Sequence, residues 1–186
     1  MFDEDIKIAD FNDDSIKKNF KQKSVQGARE EYDIENAKGN TVKAKAFGAK
    51  LAGLLVDNLD RFSAGVEENE NSEIEVQRGI LMTFAAIVCI ENEISSSVVS
   101  QIAENSFNEE LKGKAPQLYS AVNVSGALSF YYLAYRRGGE VDRRIGQTFA
   151  MLCSHDGDSV YQELGEAIYC WFLSFARGHL RESGII

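Results

Sequence analysis

One proline, Pro116, stands in a chain of 186 residues, where ordinary usage of roughly 5% would place about nine. Proline removes a backbone donor and clashes with the preceding turn, so its scarcity lets helices run long. The hydrophobic pattern uses that freedom. No segment alternates apolar and polar residues as a half-buried strand does, whereas apolar positions recur at three and four residues from Thr41 to Leu180. The expected fold is therefore an all-α, single-domain bundle of six or seven helices with the aromatic-rich helices at its centre.

Local signals place those helices. Val42, Phe47, Leu51, Leu55, Leu59 and Phe62 stripe a helix over 41–62. Ser72 with Glu75 forms a capping box ahead of a helix over 73–91 that is apolar on nearly every side from Ile80 to Ile90. Ser95 or Ser96 caps a shorter helix that ends in the polar NEELKGK stretch, and Pro116 opens a long one over 117–137 that Gly138-Gly139 terminates. Val141, Ile145, Phe149 and Leu152 stripe the next, and Asp158 caps the last, over 159–180. Residues 1–38 hold scattered apolar anchors in a charged background, with Asp13 or Asp14 able to cap a short helix near Asn19 to Lys23. They read as a polar, partly ordered arm before an all-helical domain over 39–186.

Two further patterns bear on packing. Gly48, Gly53, Gly79, Gly126, Gly146 and Gly165 fall inside expected helices, each costing about 1 kcal/mol against alanine. Close approach of helix backbones is the usual recompense. The run Tyr131 to Gly138 (YYLAYRRG) is echoed by Trp171 to Gly178 (WFLSFARG). Without a third copy, shared composition explains the echo better than a solenoid repeat.

The net charge is −9, with its acidic centre in the GVEENENSEIE stretch. That balance argues against nucleic acid as a partner, since phosphates are tracked by cations. The longest strongly apolar run, 80–90, is far short of the roughly 20 residues that span a bilayer, so no membrane is expected. The acidic opening MFDEDIKIAD lacks the basic start and apolar run of a secretory signal. Cys89, Cys153 and Cys170 are widely spaced within apolar segments and read as reduced thiols of a cytoplasmic protein.

Catalytic signatures are absent from the pattern. His155-Asp156-Gly157-Asp158 superficially resembles the His-Asp pair of metal phosphohydrolases, but His179 is the only other histidine to complete a metal shell. A di-iron bundle would need Glu-x-x-His motifs, and Leu152 and Ala176 stand where its glutamates would. A capped turn is the better reading of SHDGD. No cofactor or metal is expected, and the balance leans away from an enzyme.

What stands out is arginine. Beyond Lys114 the chain uses no lysine, and Arg136, Arg137, Arg143 and Arg144 bracket the Gly138-Gly139 turn. Bidentate guanidinium groups so placed could converge on an anion or on an acidic partner surface. Dipole compensation and ion pairs to Glu140 and Asp142 are the simpler account. The function expected is that of a non-enzymatic interaction or regulatory protein, a homo-oligomer or a binder of another protein. The alternative is a helical enzyme or small-ligand carrier with a pocket between the 117–137 and 159–180 helices.

Overall fold

The computed structural model describes residues 14–59 and 71–186. Among them every regular element is a helix: α1 (Asp14–Ala37), α2 (Asn40–Asp57), α3 (Asn71–Glu93), α4 (Ser97–Lys114), α5 (Pro116–Val124), α6 (Ala127–Arg136), α7 (Val141–Leu152) and α8 (Ser159–Ser183). The all-α expectation holds, with eight helices among the described residues rather than six or seven.

The differences have local causes. The stretch expected as one helix over 117–137 is two, because Gly126 adopts a left-handed conformation (φ 68°) and the Ser125 hydroxyl accepts the Ala127 N–H at 3.2 Å. This turn sends α5 against α4 and α3, and α6 against α3 and α7. NEELKGK is helical rather than a loop. Leu111 continues the buried stripe of Val99, Ala103 and Phe107, and Lys112 and Lys114 suit the negative end of the dipole. α2 stops at Asp57, where the Asn58 amide turns back to the Leu54 carbonyl at 2.8 Å. α1 extends well past the short helix expected near Asn19 to Lys23, and Asp13 lies outside the described residues. α3 begins at Asn71, ahead of the Ser72 cap expected for it.

The remaining signals fall where they were read. Ser96 accepts the Val99 N–H at 3.3 Å, Asp158 accepts the Val160 N–H at 2.8 Å, and Pro116 occupies the first turn of α5. Gly138 and Gly139 both have positive φ and close α6.

The centre of the molecule is α3, whose residues from Ile80 to Ile90 are all buried. α2, α4, α5, α6, α7 and α8 pack around it. Aromatic-rich helices were expected at the centre, but α3 has one aromatic ring, Phe84, and α6 and α8 lie against it. Phe84 stacks on Tyr131 and Tyr169 (centroids 5.5 and 6.1 Å) and meets Tyr132 edge-on at 5.2 Å.

Two crossings hold the outer helices together. A Cβ on Gly48 of α2 would fall on the Ala103 carbonyl of α4 and 2.9 Å from the Phe107 nitrogen. A Cβ on Gly146 of α7 would meet the Gln162 carbonyl of α8 and come within 3.1 Å of the Glu166 nitrogen. In both pairs, one helix lies against the backbone of the next over a single turn. The Ser106 hydroxyl donates to the Lys45 carbonyl at 2.8 Å across the α2–α4 crossing. Gly165 packs on Phe149 and Gly79 on Leu118, while Gly126 belongs to a turn. The echoed octapeptides also part company: the first ends α6, whereas Gly178 lies inside α8 and Arg177 pairs with Glu93 at 2.8 Å.

Candidate functional site

The four arginines around the α6–α7 turn do not converge on one point. Arg137 and Arg144 share a shallow cleft of about 200 Å³ with Thr148 and Asp156. Arg143 pairs with Glu140 at 3.3 Å and lines a separate cleft beside Glu166. Arg136 lies over the Tyr132 ring at 6.0 Å. Arg143 thus takes one of the two carboxylates anticipated for the turn. The other, Asp142, faces the Cys170 thiol.

The space between the Tyr131–Tyr135 and Tyr169–Phe175 segments is occupied by Phe84. The Tyr131 hydroxyl is fully buried there and has no hydrogen-bond partner. Burial raises its pKa well above the usual phenol value, with Cys153 adding to the effect. The thiols behave similarly. Burial pushes Cys89 and Cys153 up to about 12 and Cys170 to about 11, so all three are protonated at neutral pH. His155 stacks face to face on Tyr161 at 3.7 Å. Among the described residues no group of His, Cys, Asp and Glu side chains is placed to hold a metal ion, and no helix is long and apolar enough to cross a membrane.

The feature that the sequence pattern left unassigned is α1. Its C-terminal half packs on α2 and α4. Glu31 accepts hydrogen bonds from Ser96 at 2.7 Å and Ser97 at 3.1 Å, the first of which holds its carboxyl below the ordinary range. Glu35 is held down likewise by Lys38 at 2.7 Å and Asn40 at 2.6 Å. Beyond these ties, none of residues 26–37 is buried, and Tyr32 and Ile34 are about half exposed. Where α1 meets α2 and α4 there is an open groove of about 670 Å³, lined by Tyr32, Val42, Lys45, Ala46 and Ile102. A second apolar surface lies on α6, where Phe130 and Leu133 stand exposed one turn apart.

In comparison with known proteins, no family model matches the chain, and neither a curated protein nor a solved structure matches it.

Proposed function

We propose that this chain is a non-enzymatic interaction or regulatory protein of the cytoplasm that works as a homo-oligomer. One observation carries the reading: α1 is a helix of 24 residues with no buried residue from Gln26 to Ala37. Helical order in water comes chiefly from packing an apolar face, and a stretch of helix with no buried residue gains little of it. A partner that covers residues 26–37 supplies burial that the chain itself does not give them. The exposed Phe130 and Leu133 pair on α6 offers a further contact surface, for this chain or for another protein. Arg137 and Arg144 would favour an acidic neighbour there.

Sedimentation equilibrium at micromolar concentration tests the reading. The expected species is near twice the 20.7 kDa chain, and a single chain mass at every concentration would set self-association aside. A ligand carrier is the second reading, supported by the buried, unpartnered Tyr131 hydroxyl of α6. Its test is a small polar molecule that binds in calorimetry and loses affinity in Tyr131→Phe.

A further inference from the structure

The hairpin of α6 and α7 carries a matched order of residues along its two helices. Phe130, Ala134 and the α6 cap Arg137 follow one another at four and three residues, and on α7 Arg144, Thr148 and Met151 do the same. Each trio therefore lies along one side of its helix. Ala134 and Arg137 face the α7 trio across one cleft, and Phe130 continues the α6 side by a further turn. The Gly138-Gly139 turn keeps Arg137 and Arg144 together, so one end of this face is basic. Its other end is apolar, with Phe130 48% and Met151 41% exposed. Asp156, exposed in the turn after α7, lines the same cleft and adds an acid beyond Met151. Among the described residues none of Arg137, Arg144 and Asp156 makes an ion pair.

From this order of charge and exposed apolar surface, we infer that the α6–α7 face docks on the same face of a second copy of this chain, across a two-fold axis that crosses the two helices near Ala134 and Thr148. The inference rests on the self-association proposed above and names the surface responsible. Such an axis lays α6 on α6 and α7 on α7 in opposite directions. Arg144 of one copy then comes to the end of the other where Met151 and Asp156 lie, and Arg137 comes over the Phe130 ring. Two-fold symmetry repeats both contacts. Ala134 and Thr148, at the middle of their trios, are small enough to let the facing helices approach. Leu133, exposed one turn before Arg137, gains cover in the same contact. A face with bases at one end and an acid at the other is complementary to itself when reversed. An unrelated acidic partner would instead set a like charge against Asp156.

Charge-reversal variants of the full chain in the analytical ultracentrifuge test this arrangement. Arg144→Glu sets two acids against each other in the contact, and Asp156→Arg sets two bases. Each alone should raise the dimer dissociation constant at least about tenfold, because a favourable pair becomes repulsive twice per dimer. In an equal mixture of the two variants, position 144 of each copy again meets the opposite charge at position 156 of the other. That mixture should form a heterodimer about as tightly as the wild-type chain dimerises, and the chain with both changes should dimerise again. Those recoveries exclude misfolding as the cause of dissociation. If the wild-type chain dimerises and the single variants match it, the dimer uses another surface, such as residues 26–37 of α1, and the α6–α7 face is wrong while self-association stands. Dissociated variants that fail to recover on mixing also overturn the two-fold register. A wild-type chain that is monomeric throughout removes both.

Discussion

Gly48→Ala should destabilise the protein, although alanine is the better helix former by about 1 kcal/mol. The obstacle is backbone: the new methyl would overlap the Ala103 carbonyl and come within 2.9 Å of the Phe107 nitrogen and 3.0 Å of the Ala103 carbonyl carbon. No rotamer change relieves contact with a carbonyl, so α2 and α4 must separate by about 1 Å, a gap that forfeits a quarter to a half of each contact across it. Phe47, Leu51, Ala103 and Phe107 are buried on these two helices, and Ser106 loses its ideal distance to the Lys45 carbonyl. Overpacking of this kind costs about 1–3 kcal/mol, and contact with backbone belongs at the upper end. Set against the gain in propensity, the net loss is about 2 kcal/mol, or about 4–8 °C in Tm for a chain of this size. Gly113→Ala in α4 is the control, since a Cβ there meets nothing within 4 Å. It should stabilise by about 0.5–1 kcal/mol. Urea titrations followed by far-UV circular dichroism read both changes. A Gly48→Ala protein as stable as Gly113→Ala would refute the close crossing of α2 and α4.

Ser154 ends α7 with φ 63°, while His155 N–H reaches the Ala150 carbonyl at 2.8 Å and Ser154 N–H the Met151 carbonyl at 3.1 Å. This closing turn normally carries glycine, so Ser154→Gly should raise stability by about 0.5–1 kcal/mol in thermal melts, and a loss would contradict the left-handed cap. Tyr131→Phe removes a buried hydroxyl without a partner and should be neutral or stabilising by up to about 1 kcal/mol. A loss of more than that would mean the hydroxyl has a partner. Burial and the neighbouring Glu91 raise the Glu104 pKa above its ordinary value. Because the folded-state pKa exceeds the unfolded one, ionised Glu104 penalises the fold above that pKa, and acidification through it lifts the penalty. Glu104→Gln should accordingly gain about 0.5 kcal/mol at pH 7, discounted for partial exposure, and lose the advantage as pH falls through the raised pKa. An advantage that does not change with pH would point away from the charge. Removal of residues 1–38 should leave a cooperatively melting protein, because the hydrogen bonds of residues 26–37 to the following helices run through Glu31, Glu35 and Asn36 and no residue of that stretch is buried. Loss of the melting transition would place α1 within the folding unit.

Helix content, the capping residues Ser96 and Asp158, the Pro116 start and the Gly138-Gly139 stop all depend on interactions within a few residues, so the sequence by itself determined them. It also determined that 80–90 is buried, since a segment apolar on every side has no face to give to water. Tertiary structure alone decided what lies opposite each face. A glycine inside a helix is ambiguous until its neighbour is known: Gly48 and Gly146 lie against the backbone of another helix, while Gly126 breaks the helix it was read into. NEELKGK looks like a loop by composition, and burial of Leu111 by distant residues makes it helix. The arginines are adjacent in sequence, but a helical turn fans neighbouring side chains around the axis, and they part into separate clefts.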